Sequence, residues 1–131
     1  MDVTGELLVS DQPLSFWGGY DYETGEIIDR RHPLSGQNAA GKVLAIPYTI
    51  GSSTTAQVLL EAIRAGKAPA AIVTRRLDTY LSLAAMVAEE LYGRTIPVVA
   101  IPEAEFAQLK SGEKYKTGTD GDFPDFLGSE I

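Results

Sequence analysis

The chain has 131 residues, enough for one globular domain with one ordinary core, and it contains no cysteine. Disulfides, thiolate metal sites, iron–sulfur ligation by this chain, a redox Cys-x-x-Cys and a cysteine nucleophile are thereby excluded. Its 18 acidic and 11 basic residues give a formal charge of -7, which lacks the basic footprint that binding a phosphate backbone requires. The middle of the chain, 36–112, is near neutral with six acids and seven bases, and both ends are acidic. Asp2, Glu6 and Asp11 stand where a secretory signal needs a basic start and an apolar run, and no stretch reaches the length of a membrane span. The expectation is a soluble, cytoplasmic protein with no nucleic-acid or membrane partner.

In chain order, Leu14-Ser15-Phe16-Trp17 and Glu26-Ile27-Ile28-Asp29 read as two short strands. Gly18-Gly19 and the turn-rich run 21–25 join them, giving a hairpin-like excursion with a glycine elbow. Lys42-Val43-Leu44-Ala45-Ile46 is an apolar strand stopped by Pro47, and a loop follows to Gly51-Ser52-Ser53-Thr54. Val58, Leu59, Ala62 and Ile63 then recur at helical spacing up to Gly66. The unit repeats in kind: Ala70-Ala71-Ile72-Val73-Thr74 is a buried-type strand, and Leu81, Ala84, Ala85, Ala88 and Leu91 mark a helix face ending near Gly93. Ile96-Pro97-Val98-Val99-Ala100-Ile101 is the next strand, and Pro102 opens a short helix through Leu109. Three strands alternating with three helices imply an α/β fold, with a mainly parallel central sheet flanked by helices and right-handed crossovers. The expected organisation is a single domain over 1–131 with its core at about 12–116. From 117 onward the chain is acidic and without period, so it reads as irregular; Phe123, Phe126 and Leu127 are candidates to dock on this domain or on a partner.

The hydroxyl-rich turn Tyr48-Thr49-Ile50-Gly51-Ser52-Ser53-Thr54-Thr55 lies between a buried strand and a helix. Open α/β sheets place ligands at such carboxyl ends. Gly51 lets a ligand approach the backbone, and free N–H groups at a helix start favour a carboxylate. A serine there either binds substrate or moves a proton, whereas the alternative is that Ser52, Ser53 or Thr54 is simply an N-cap. The turn is neither a Gly-x-Ser-x-Gly nucleophile elbow nor a P-loop.

His32, near two arginines and an aspartate in Asp29-Arg30-Arg31-His32-Pro33, reads as an acid–base group, as a ligand of an anionic substrate, or as a residue that satisfies a turn. One histidine without cysteines assembles no metal site. Phe16-Trp17-Gly18-Gly19-Tyr20 suits an interface or pocket wall as well as a core anchor with a tight turn. Arg75-Arg76 follows a strand end, where it either reaches an anion or another chain or stays a solvated pair. Glu89, Glu90, Glu103 and Glu105 read as solvated helix faces.

Taken in order, Pro13-Leu14-Ser15-Phe16-Trp17-Gly18-Gly19, Thr24-Gly25-Glu26-Ile27-Ile28-Asp29-Arg30, His32-Pro33-Leu34-Ser35-Gly36, Ala40-Gly41-Lys42-Val43-Leu44, Gly51-Ser52-Ser53-Thr54 and Gly66-Lys67-Ala68-Pro69-Ala70-Ala71-Ile72 resemble the swivel domain, or separate small subunit, of aconitase X. The resemblance covers about residues 12–101. It implies a swivelling β/β/α domain that closes over the active site of an aconitase X-like large subunit. It also implies an iron–sulfur cluster carried by that subunit, with no cofactor bound by this chain. In the wider superfamily a serine of the swivel domain's Gly-Ser turn removes the substrate proton, and the match puts that role on Ser52. Gly51, Ser53 and Thr54 follow as substrate contacts, with His32 and Arg30 after them.

The activities implied are dehydrations of small hydroxy acids: cis-3-hydroxy-L-proline to a pyrroline carboxylate or, as the alternative, phosphomevalonate to its anhydro form. Family members commonly carry Gly-Arg-Gly-Ser at this turn, whereas this chain has Thr49-Ile50-Gly51-Ser52, and the hydroxyproline substrate leads. A second class stays open, a non-catalytic binding or regulatory module with the swivel fold.

Overall fold

The computed structural model describes residues 3–51 and 53–117. Ser52 therefore lies outside the described residues, as do Phe123, Phe126 and Leu127 of the expected tail. The described strands are β1 (Thr4–Val9), β2 (Leu14–Ser15), β3 (Val43–Ala45), β4 (Thr49–Ile50), β5 (Ala71–Thr74), β6 (Val98–Ala100) and β7 (Lys114–Lys116). The helices are α1 (Ser53–Ala65), α2 (Thr79–Tyr92) and α3 (Glu103–Phe106).

A five-stranded sheet runs in the order β6-β5-β3-β1-β7. Its first four strands are parallel, and β7 is antiparallel to β1, so the mainly parallel α/β expectation holds with one antiparallel edge. The strand period of two sorts the apolar runs onto two faces. Leu8, Leu44 and Ile72 pack with Leu59, Ala62, Ile63, Leu81, Ala84 and Ala88 of α1 and α2. Leu7, Val43, Ala45, Ala71, Val73 and Val99 pack on the other side with Phe106 of α3 and with Tyr115. All four residues of β5 are buried, which is why Ala-Ile-Val-Thr reads as a continuous run without alternation.

Two strands of this sheet are not expected from the sequence. In β1, Gly5 and Glu6 break the apolar pattern, yet Leu7 and Leu8 are buried and the strand sits between β3 and β7. In β7 only Tyr115 is buried; the flanking Lys114 and Lys116 face solvent on the sheet edge, where charge discourages further pairing. Thr117, assigned to the irregular tail, is fully buried, and its N–H donates to the Val3 carbonyl at 2.9 Å.

The expected strand 14–17 shortens to β2, because Phe16 starts a turn in which the N–H of Tyr20 donates to its carbonyl at 3.1 Å. A Cβ on Gly19 would lie 2.1 Å from the Ser15 carbonyl oxygen, so this elbow admits no side chain. The expected strand 26–29 reduces to two single bridges, Tyr20 with Ile27 and Glu26 with Asn38. Phe16 and Tyr20 stack at 5.0 Å and both are buried, whereas Trp17 between them is 68% exposed. The Tyr20 hydroxyl donates to the Lys67 carbonyl at 2.8 Å, which fastens the excursion to the end of α1.

Both long helices end where expected. After α1, Lys67 N–H reaches the Ala62 carbonyl at 2.9 Å and Gly66 N–H the Ile63 carbonyl at 3.1 Å, the paired bonds of a Schellman motif. Gly93 closes α2 in a left-handed conformation, and its N–H donates to the Glu89 carbonyl. No helix among the described residues is long and apolar enough to cross a membrane.

Candidate active site

β1 and β3 separate at their carboxyl ends and pair again in parallel as β2 and β4. The register Leu7 to Val43 becomes Leu14 to Thr49, which leaves one extra residue on the β1 side, as in a bulge. Thr49-Ile50, expected as loop, is thus a short strand that carries the chain past the end of β3 and delivers it to α1.

Gly51 ends this strand with φ 118°, a region that disfavours a side chain. A Cβ there would meet the Thr55 hydroxyl oxygen at 3.2 Å and the Thr54 hydroxyl oxygen at 3.6 Å. The first turn of α1 carries no acidic side chain, so its N-terminal partial positive charge is unopposed from within the helix. An anion at this end is favoured by the backbone alone.

A second loop, between β5 and α2, converges on the first. Asp78 is buried and caps α2, with one carboxylate oxygen accepting from Leu81 N–H at 3.0 Å. Its other oxygen accepts from Thr49 N–H at 3.2 Å and from the Thr49 hydroxyl. One carboxylate therefore ties the start of α2 to the strand that precedes Gly51. Beside it, the Arg76 guanidinium carbon stands 4.2 Å from the centre of the Tyr48 ring. Tyr48, Thr49, Gly51, Arg76, Asp78 and Tyr80 line a cavity of about 170 Å³, together with Leu77 and Thr79.

Of the candidates named from sequence, Gly51 lines this cavity and Thr54 is exposed on the first turn of α1, which Ser53 opens. Ser52 lies between Gly51 and Ser53 in the chain and outside the described residues. His32 is buried: its Nδ1 accepts from Leu34 N–H at 3.1 Å, and its Nε2 lies 3.2 Å from the Gln12 carbonyl oxygen, to which it donates. Both ring nitrogens are thus committed to backbone, the turn-satisfying arrangement. Arg30 is exposed and has no carboxylate partner among the described residues.

Arg75 and Arg76 part to different surroundings instead of forming one solvated pair. Arg75 lies 3.7 Å from Glu103 and 5.8 Å from the centre of the Phe106 ring, beside a second cavity of about 220 Å³. Asp78, Tyr48 and Arg76 were not assigned to the site from sequence. The Asp-Thr-Tyr-Leu run at 78–81 signals an N-cap, but nothing local shows that it also holds Thr49, 29 residues away.

The resemblance puts the iron–sulfur cluster on the large subunit, and the residues of this chain offer no ligand set for one. The sequence has no cysteine, and no group of three or more potential metal ligands occurs among the described residues.

The family model for the aconitase X swivel domain matches residues 1–122. The chain is 53% identical over 101 residues to a cis-3-hydroxy-L-proline dehydratase of Pseudomonas aeruginosa, a match that takes in 77% of this chain and 17% of that protein. It therefore spans under a fifth of that relative's length. It is 37% identical over 116 residues to a phosphomevalonate dehydratase small subunit of Thermococcus gammatolerans, covering 88% of this chain and 82% of that subunit. Its fold is similar to the crystal structure of Thermococcus kodakaraensis aconitase X in the holo form, with a TM-score of 0.80 and 32% identity over 92% of this chain and 86% of that one.

Proposed function

The chain belongs to the aconitase X swivel domain family, and on that premise we propose that it is the small subunit of a hydro-lyase. It closes over a larger catalytic chain that dehydrates a hydroxylated carboxylic acid. The observation that carries this reading is the cavity between the Gly51 turn and the Asp78 cap. At about 170 Å³ it is smaller than a complete small-molecule pocket, which takes about 300–1,000 Å³, and suits half of a site finished by a second chain. Exposed apolar side chains accompany it: Leu77 and Tyr80 on its wall and Ile50 next to Gly51 in the chain, while α2 also exposes Leu83 and Met86. Such a rim is what a partner surface covers.

In this reading Ser52 takes the proton from the carbon beside the carboxylate. A serine hydroxyl is a weak base on its own, so the N–H groups at the start of α1 must lower the cost of its anionic form. The absence of acids in the first turn of α1 serves that purpose. Gly51, Ser53 and Thr54 contact the substrate, and His32 holds its own turn to the Gln12 carbonyl. The hydroxyl leaves from the adjacent carbon with help from the larger chain, which is proposed to hold the iron–sulfur cluster.

The substrate assigned is cis-3-hydroxy-L-proline, supported by the 53% identity to a dehydratase of that name. Phosphomevalonate is the second reading, favoured by the match that covers 88% of this chain and 82% of a phosphomevalonate dehydratase small subunit. The uncharged Ile50 in the turn supplies no cation for a phosphoryl group.

The test is coexpression with an aconitase X-like large subunit and an assay of both acids by mass spectrometry, for wild type and Ser52→Ala. Turnover of one acid by the wild-type pair, lost at least 100-fold in a folded Ser52→Ala subunit, is the expected result. Near-normal turnover by Ser52→Ala removes that residue as the base, and an inactive wild-type pair rejects the dehydratase reading.

A further inference from the structure

A carboxylate bound beside Gly51 finds no cation in its own turn, because Ile50 is uncharged. The neighbouring loop supplies one. Arg76 follows β5 on the wall of the same cavity, with its guanidinium over the Tyr48 ring. A ring beneath the guanidinium fixes its plane and leaves the N–H edge open to a partner. Among the described residues that edge has neither a hydrogen bond nor an ion pair.

Asp78, the acid lining this cavity, forms no ion pair with it among the described residues; its oxygens accept from Leu81 N–H and from Thr49. Arg75 shows the contrast: one residue earlier, it already has Glu103 as its partner. A planar fork of free donors at the mouth of a cavity matches a carboxylate in a bidentate pair.

From this geometry we infer that Arg76 is the substrate-binding residue for the carboxylate of the hydroxy acid, with Tyr48 as the positioning residue under its guanidinium. The inference rests on the dehydratase reading above. It assigns the carboxylate to this chain and leaves the hydroxyl to the partner. The uniform part of binding should therefore change when Arg76 is altered, more than the chemical step.

The test uses the two-chain complex, with wild type, Arg76→Ala, Arg76→Lys and Tyr48→Leu small subunits. Removing a bidentate charged pair is expected to raise KM by about 10- to 100-fold, with kcat changed by no more than about 3-fold. Arg76→Lys should recover part of this loss, because it keeps the charge without the fork. Tyr48→Leu should raise KM in the same direction, with the far-UV circular dichroism unchanged. Calorimetric titration with L-proline and L-prolinamide adds a readout free of turnover: wild type binds the carboxylate compound more tightly, and Arg76→Ala loses the difference.

A wild-type pair that is active while Arg76→Ala keeps its KM overturns the inference and leaves the dehydratase reading standing. An inactive wild-type pair overturns that reading instead. The calorimetry then decides Arg76, and equal heats for wild type and Arg76→Ala with L-proline reject it.

Discussion

Replacing Asp78 by alanine removes the acceptor for three donors at once: Leu81 N–H, Thr49 N–H and the Thr49 hydroxyl. Loss of the N-cap costs about 1 kcal/mol. The two Thr49 bonds go to a charged acceptor in a half-buried place, and together they add about 2 kcal/mol after water repairs part of the loss. The expected destabilisation is about 3 kcal/mol, a large share of the roughly 5–15 kcal/mol that such a domain has in total. Urea unfolding of the full chain followed by far-UV circular dichroism measures it. Tryptophan fluorescence is a poor probe, because Trp17 is 68% exposed and reports little burial.

The companion variant Thr49→Val removes only the hydroxyl donor and should cost about 1 kcal/mol. In the double variant the two losses should fall short of additivity by about 1 kcal/mol, since the bond can be lost only once. An Asp78→Ala loss of about 1 kcal/mol or less, or losses that add fully, would mean that Asp78 merely caps α2. The bond between the two loops would then be refuted, and with it the argument that Asp78 holds the Gly51 turn against α2.

Two further outcomes are expected. Burial holds the Tyr20 phenol above its ordinary value of 10.0, so it keeps its proton in the folded chain at pH values where the unfolded chain ionises. Above about pH 10 the folded state binds more protons than the unfolded, and stability should fall with rising pH by up to about 1.4 kcal/mol per unit. Below that pH this group adds no slope. Tyr20→Phe should remove that part of the alkaline slope and cost about 1 kcal/mol at neutral pH, through the lost bond to the Lys67 carbonyl. Urea midpoints for both proteins across the alkaline range check it, and equal slopes refute it. His32→Ala should lower stability by about 2 kcal/mol, by stranding Leu34 N–H and the Gln12 carbonyl, while kcat/KM of the folded complex stays within about 3-fold. A loss of activity beyond 100-fold at unchanged stability would instead put His32 on the substrate.

What the sequence made legible follows from how local each signal is. β3 and β5 are apolar runs buried on both faces, β6 is an apolar run with Val99 buried, and α1 and α2 carry a helical period with a glycine stop, so each is readable within a dozen residues. β1 and β7 are not. Glu6 and Gly5 make the first look like a turn, and the second has a single buried residue, Tyr115, whose strand exists only because Thr4, Gly5 and Glu6 lie opposite it. The two-residue ladder of β2 and β4 is shorter than any periodicity can reveal; it forms where the β1–β3 pairing resumes beyond the bends at Asp11-Gln12 and Pro47.

The candidate site divides in the same way. Gly51 announced itself through its place between a buried strand and a helix, and the structure gives the reason for the glycine in its φ of 118° and the hydroxyls of Thr54 and Thr55 beside it. Asp78 carried no such signal, and nothing local joined Tyr48 to Arg76, because these residues meet across the β3–α1–β5 crossover of a parallel sheet. Parallel strands put successive loops side by side at one edge, so residues about one βα unit apart in the chain become neighbours in the cavity. That topology also explains why the twin arginines diverge. Past the end of β5 successive side chains leave on opposite sides, so Arg75 reaches Phe106 and Glu103 of the α3 layer while Arg76 reaches Tyr48 on the side of the Gly51 turn. A pair that composition presents as two equivalent surface charges is thereby split into one paired cation and one cation left open at the cavity.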